Sequence, residues 1–288
     1  MIYSFGDRCP ASLTDRKSHP MVDTPRKRSR HDEVNDVGLL INIEAIDRAG
    51  KSTASKLVET ALRERGVSIM RMAFPDRPKT ALAPSPAHYS TGVLIDRYLS
   101  GHLQLLDGRD PLFRRSAIRE LSDADRGEIA TIVTEKLFQI ICSINRRERY
   151  SGPDGLAAAI ETYDVVLTER YLSAYTYGVA AGVGRAQILA LESDLPAPDL
   201  TVLLDIDPSI ARSRRPEDPS DIYESDLIFQ AKVRELYLDL VRTDGATSEA
   251  EMRLPRFLRI DASIPATAVA ALIVSAIGVR LGLITLEP

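Results

Sequence analysis

The chain predicts an α/β fold, a parallel sheet with helices on both faces. From residue 38 onward, short and almost wholly apolar runs alternate with longer amphipathic ones. Strands of that kind belong to a sheet buried on both sides. The first apolar run passes through a tight loop into a helical pattern, the setting of a phosphate-binding turn. Residues 1–36 differ: they mix charge, Pro, Ser and Asp without periodicity, which reads as a disordered tail. One domain over residues 37–288 is expected.

Leu39–Ile43 reads as the first strand. Thr53–Arg65 reads as a helix stopped at Gly66. Val67–Phe74 is a second strand ended by Pro75, and Val93–Leu99 starts another helix. Segments near 78–90 and 100–122 read as insertions. Asp123–Arg149 has the pattern of a long amphipathic helix, with Ile129, Ile132, Val133, Leu137, Ile140, Ile141 and Ile144 on one apolar face. Asp164–Thr168 and Leu200–Ile206 are the third and fourth strands. Asp207-Pro208 opens a helix, with proline at a favourable first-turn position. A charged loop covers about 212–224, a helix runs to about Arg242, and Phe257–Ile260 is the fifth strand. The apolar stretch Ala266–Val279 is shorter than the ~20 residues a bilayer requires, so it reads as a buried closing helix.

Composition narrows the function. The 288 residues are 44% hydrophobic, with net charge −4 and a pI near 5.7. An acidic balance argues against a general nucleic-acid or anionic-membrane binder. Cys9 and Cys142 form neither a disulfide framework nor a metal cluster, and a reducing compartment follows. The first residues lack the apolar core of a secretory signal. A cytoplasmic protein is expected. Pro25-Arg26-Lys27-Arg28-Ser29-Arg30-His31 reads either as a nuclear localisation signal or as a solvated charge run.

The stretch Glu44-Ala45-Ile46-Asp47-Arg48-Ala49-Gly50-Lys51-Ser52-Thr53 carries most of the chemistry. It fits the P-loop pattern GxxxxGK(S/T) with Ala45 at the first glycine. In such a loop, backbone N–H groups and the helix N-terminus cradle phosphate oxygens. Lys51 would neutralise the β- and γ-phosphates of ATP, and the Ser52 hydroxyl would hold Mg²⁺. Four further segments join arginine to a carboxylate or an aromatic: Phe74-Pro75-Asp76-Arg77, Ser143 to Glu148, Glu169-Arg170-Tyr171, and Arg212 to Arg215 with Asp221 to Glu224. Two of them directly follow strands, and ligands of an open α/β sheet bind at the carboxyl ends of its strands.

With these blocks in order, the chain resembles thymidylate kinase, a nucleoside monophosphate kinase family. The matching stretches are EAIDRAGKST (44–53), FPDR (74–77), TGVLIDRYL (91–99), SINRRE (143–148), ERYLSAYTYG (169–178), LPAPDLTVLLDIDP (195–208) and IYESDLIFQAKVRELY (222–237). The resemblance implies a three-layer P-loop kinase fold with a five-stranded parallel sheet and a lid at about 212–224. It implies a homodimer that phosphorylates dTMP from ATP with Mg²⁺. Ala45 to Thr53 would hold ATP, and Arg215 would stack on adenine. Arg48 would reach the γ-phosphate. Arg77 would hold the dTMP phosphate, with Phe74 beside it, and Arg170 would lie between the two phosphates. Asp47 would accept from the 3′-hydroxyl, Arg146 would donate to a thymine carbonyl, and Tyr223 would press on the sugar edge. Glu169 would organise Mg²⁺ through water.

The physical chemistry agrees with that assignment. A phosphate nucleophile is already mostly anionic near neutral pH, so the demand is for fixed cations and in-line geometry around a loose transition state. Lys51, Arg48, Arg77 and Arg170 supply them. Three positions depart from the family pattern. Ala45 would cost on the order of 1 kcal/mol if its φ were positive, Cys142 stands where an aromatic usually stacks on thymine, and Glu169 replaces an aspartate. Two alternatives stay open: a deoxyribonucleoside kinase, and a catalytically weak nucleotide-binding regulatory protein.

Overall fold

The computed structural model describes residues 37–77, 91–101, 122–152, 154–214, 222–243 and 256–283. The tail 1–36, the segment 78–90, most of 100–122 and most of the expected lid, with Arg215, lie outside the described residues.

The sheet has five strands: β1 (Leu39–Glu44), β2 (Ile69–Ala73), β3 (Val165–Glu169), β4 (Leu200–Asp205) and β5 (Phe257–Asp261). Their spatial order is β2-β3-β1-β4-β5, and every pairing is parallel. The two-residue alternation of strands sends neighbouring side chains to opposite layers. Ile41 and Ile43 face α1 (Lys51–Glu64) and α9 (Ala266–Arg280), packing with Val58, Leu62, Ile273 and Ile277. Leu40, Met72 and Val166 face the other way, onto Leu156 and Ala159 of α4 (Leu156–Thr162).

The remaining helices are α2 (Thr91–Leu99), α3 (Asp123–Ser151), α5 (Ser173–Ala180), α6 (Arg185–Glu192), α7 (Pro208–Ser213) and α8 (Leu227–Arg242). Capping explains several starts. Ser122 and Asp125 form a reciprocal box at the head of α3. Asp207 accepts from Ser209 N ahead of Pro208, and Asp226 accepts from Phe229 N.

Two expectations need correction. The isoleucine-rich stripe of α3 is not its core face, since Ile132, Leu137, Ile140 and Ile144 are each more than a third exposed. The buried face instead carries Glu135, Phe138, Gln139, Cys142, Asn145, Arg146 and Arg149. Burial here follows the cleft that α3 walls off rather than hydropathy. The closing helix α9 is covered on one side only, and Leu272 is half exposed. Among the described residues, no helix is long and apolar enough to cross a membrane.

Candidate active site

β1 ends in Glu44, a fully buried carboxylate. It accepts from Tyr237 Oη at 2.6 Å, Asn42 Nδ2 at 3.0 Å and the Leu172 N–H at 2.6 Å. Burial raises its pKa above the usual carboxylate value, against those three donors. The chain then turns over Ala45–Gly50 into α1. The turn needs two left-handed residues, Arg48 (φ 61°) and Gly50 (φ 99°). Ala45 is not one of them, so the missing first glycine carries no backbone strain.

Lys51 is the first residue of α1. Its Nζ folds back to donate to Ala45 O at 2.9 Å and Ile46 O at 2.7 Å. Burial and the neighbouring Arg170 cation lower its pKa to about 8, although Asp47, Glu44 and Glu169 act to raise it. Burial alone would raise Asp47, but Arg170 and Lys51 outweigh it and hold Asp47 down to about 2. Asp47 pairs with Arg170 and accepts from Gln230 Nε2 at 2.8 Å, and its own N–H donates to Gln230 Oε1 at 3.0 Å. Arg170, like Arg48, sits at positive φ (60°). Non-glycine residues in that region gather at functional sites.

The Phe74–Pro75 peptide bond is cis. The next residue is gripped by α3: Asp76 N–H donates to Asn145 Oδ1 at 2.8 Å, and Asn145 Nδ2 donates to Asp76 O at 2.9 Å. That grip aims Arg77 into the cleft, where it pairs with Asp96 at 3.0 Å. Across the cleft Arg48 pairs with Glu224 at 3.1 Å. Arg146 is buried and held through Nε and Nη2 by Glu192, both at 2.7 Å.

These groups line two cavities. The first is a narrow pocket with about 560 Å³ of empty space, its open mouth included, walled by Asp47, Phe74, Arg77, Phe138, Gln139, Cys142, Arg146, Arg170 and Tyr223, among others. The second is a wide groove along Arg48 to Thr53, with Glu169, Arg214, Glu224 and Ala262–Ala266. Phe74, Arg77 and Arg170 border both. The two cavities therefore meet at a pair of arginines.

Cys142 is buried beside Ile95, Tyr98, Leu99 and Phe138. Burial pushes its thiol up to about 12, so it is a neutral wall and not a nucleophile. Phe138 lies stacked on Tyr98, ring centroids 4.2 Å apart, and presents an aromatic to the same pocket. Tyr223 Oη donates to Glu135 at 2.8 Å, which fixes the ring edge.

At the groove floor Ser52 Oγ donates to Glu169 Oε2 at 2.8 Å, so two side-chain oxygens stand together there. Among the described residues, no group of three or more His, Cys, Asp or Glu side chains could hold a metal by itself. That fits Mg²⁺, which takes one or two protein oxygens and completes its shell with phosphate and water.

Most site residues expected from sequence border one of the two cavities. Ala45 and Ile46 lie beneath the loop as the carbonyl acceptors of Lys51. The sequence reading passed over Gln230, Glu135 and Gln139, and gave Arg214 and Glu224 no role beyond membership of an arginine-and-carboxylate segment. Arg214 donates to Ala49 O and Ala262 O at the groove wall, the region assigned from sequence to its neighbour Arg215. Gln230 had a signal: it lies within the matching stretch 222–237.

A sequence model of the thymidylate kinase family matches residues 116–254. The chain is 45% identical over 83 residues to a probable thymidylate kinase of Pyrobaculum aerophilum, covering 28% of this chain and 43% of that protein. It is 28% identical over 177 residues to a thymidylate kinase of Schizosaccharomyces pombe, covering 62% of this chain and 65% of the relative. With one of Danio rerio the identity is 26% over 205 residues, 71% of this chain and 77% of the relative. The match to each of two Pyrobaculum relatives spans less than half of their length. A P-loop at the end of the central strand, a second pocket joined to it through Arg77 and Arg170, and these matches agree with one another: the chain is similar to thymidylate kinases.

Proposed function

We propose that this protein transfers the γ-phosphoryl group of ATP to the phosphate of dTMP, giving dTDP. The observation that carries the reading is the shared border of the two cavities. A phosphate held in the narrow pocket and a phosphate held on the P-loop would meet at Arg77 and Arg170. A hydroxyl acceptor would have no use for two guanidinium forks there, whereas a phosphate acceptor uses both.

The chemistry needs charge and placement more than proton transfer. The acceptor oxygen is already anionic near neutral pH. Lys51, Arg48, Arg77 and Arg170 surround the path of transfer with positive charge. Each of these arginines rests against a carboxylate, Glu224, Asp96 and Asp47 respectively, so its fork is oriented before substrate arrives and little reorganisation remains. Asp47, held ionised, is suited to accept from the deoxyribose 3′-hydroxyl. Tyr223, tied to Glu135, closes the sugar edge against a 2′-hydroxyl. Arg146, tied to Glu192, offers its remaining edge to a pyrimidine carbonyl. Mg²⁺, with Ser52 and Glu169 nearby, would neutralise the β- and γ-phosphates. Ala49 to Thr53 would cradle the ATP phosphates. We extend the reading to a homodimer, built on the exposed stripe of α3.

The test is a coupled assay with ATP–Mg²⁺ and a panel of dTMP, dUMP, UMP and thymidine. Turnover of dTMP is expected. Arg77→Ala and Arg170→Ala should each lower kcat/KM by about 10²-fold or more, the scale of a lost charge-assisted contact in a transition state. Preference for thymidine over dTMP would overturn the reading.

A further inference from the structure

Gln139 lies on the buried face of α3, three residues before Cys142 and seven before Arg146, so the three side chains share one stripe. It is only 4% exposed and borders the narrow pocket. Its carboxamide oxygen is enclosed and accepts no hydrogen bond from any described residue. A buried acceptor with no donor is costly and calls for an explanation. The position is also sterically set. A Cβ on Gly178 of α5 would lie 3.1 Å from Gln139 Cδ and 2.7 Å from Ile188 Cδ1. Only glycine at 178 lets α5 close against this amide and hold it at the pocket wall.

Resting on the reading of this pocket as the acceptor site, we propose that Gln139 reads the base. Its side-chain oxygen accepts the N3–H of a 2,4-dioxopyrimidine and sets the preference for thymine or uracil over cytosine.

The complementarity is that of a donor and an acceptor. Arg146, fixed by Glu192, can only donate. Gln139, whose oxygen is unmet, lines the same pocket two helical turns away. A dioxopyrimidine presents a carbonyl next to an N–H and satisfies both. With Arg146 reading position 4, cytosine presents an amino group next to a bare ring nitrogen and reverses both. Turning the Gln139 amide over would offer its N–H₂ to the cytosine ring nitrogen, but Arg146 would still face an amino group. The mismatch therefore survives either amide orientation, and a site built on such a pair rejects the wrong edge strongly.

The experiment compares wild type, Gln139→Met, Gln139→Leu and Gln139→Glu. It measures kcat and KM for dTMP, dCMP and N3-methyl-dTMP, with dissociation constants for the same nucleotides by calorimetry. Wild type should favour dTMP over N3-methyl-dTMP by at least about a hundredfold, and Gln139→Met should shrink that ratio by about tenfold or more. KM for dTMP should rise while kcat stays within a few-fold, and Gln139→Glu, which keeps an acceptor, should restore discrimination against the methylated base. Should Gln139→Leu fail to fold, Gln139→Met, close in volume, still reports. An unchanged ratio in a folded Gln139→Met protein overturns the proposal. A wild type that binds dTMP without turning it over removes the kinase reading but leaves the binding ratios to decide the role of Gln139. A wild type that does neither overturns both.

Discussion

The Ser52 hydroxyl donates to Glu169 Oε2 at 2.8 Å, joining the first turn of α1 to the carboxyl end of β3. The two residues are 117 positions apart in sequence, and the parallel pairing of β1 with β3 brings them together. The carboxylate also faces Arg71 at 3.7 Å, so Glu169 is held from two sides.

That contact predicts how the reaction depends on Mg²⁺. Ser52→Ala should raise the Mg²⁺ concentration for half-maximal rate by about tenfold, the equivalent of about 1.4 kcal/mol of lost metal affinity. Glu169→Gln keeps the size and a hydrogen-bonding oxygen but removes the charge. It should lower kcat by roughly 10²-fold, within the range for removing one electrostatic group from a transition state. Initial rates across a Mg²⁺ titration at saturating ATP and dTMP check both, and chelation of the ion should stop turnover. Identical Mg²⁺ curves for wild type and Ser52→Ala would sink the assignment.

Lys51 predicts a pH dependence of ATP binding. Its pKa near 8 in the free protein means that it is protonated at pH 7 and increasingly neutral above pH 8. Bound phosphates favour the charged form and raise that pKa. Binding above pH 8 must then take up a proton, so affinity falls as pH rises. The dissociation constant should be flat from pH 7 to about 7.5, then climb by up to about tenfold per unit above 8. Calorimetry in buffers of different ionisation enthalpy reads the proton uptake directly. Lys51→Arg, which stays charged throughout, should bind more weakly but lose the pH dependence.

The strands were legible because buried parallel strands are short, apolar and bounded by turns, and each falls within about two residues of its expected place. Arg77 and Arg170 were legible because they follow strand ends, where a doubly wound sheet exposes its loops. The short helix α4, with its run Leu156-Ala157-Ala158-Ala159-Ile160, gave too weak a period to be read. Glu135, Gln139 and Glu192 were missed for another reason. Their roles come from partners far away in sequence, as with Arg146 and Glu192 or Tyr223 and Glu135. No local pattern encodes such a pairing. On α3 the apolar period pointed to the wrong face, because the polar face is the one that folds inward.

That inversion supports the homodimer proposal. A helix that buries Glu135, Gln139 and Arg146 while leaving Ile132, Leu137, Ile140 and Ile144 exposed has an outward apolar stripe. Solvent-exposed apolar stripes on a helix mark surfaces of association. A stripe on one helix suits an isologous contact, in which the same patch meets itself across a two-fold axis. Ile140 lies on the exposed side of α3, between Leu137 and Ile144, while its neighbour Gln139 faces the pocket. Light scattering should give twice the chain mass of 31.7 kDa for the wild type. Ile140→Asp, together with Ile144→Asp, should shift the mass to a single chain at micromolar concentration, because an unpaired carboxylate on each side of a shared apolar contact is strongly unfavourable. Because the substituted stripe faces solvent in the isolated chain, far-UV circular dichroism should stay unchanged. A wild type that runs as a monomer at every concentration, or a doubly substituted protein that remains a dimer, removes this face as the interface.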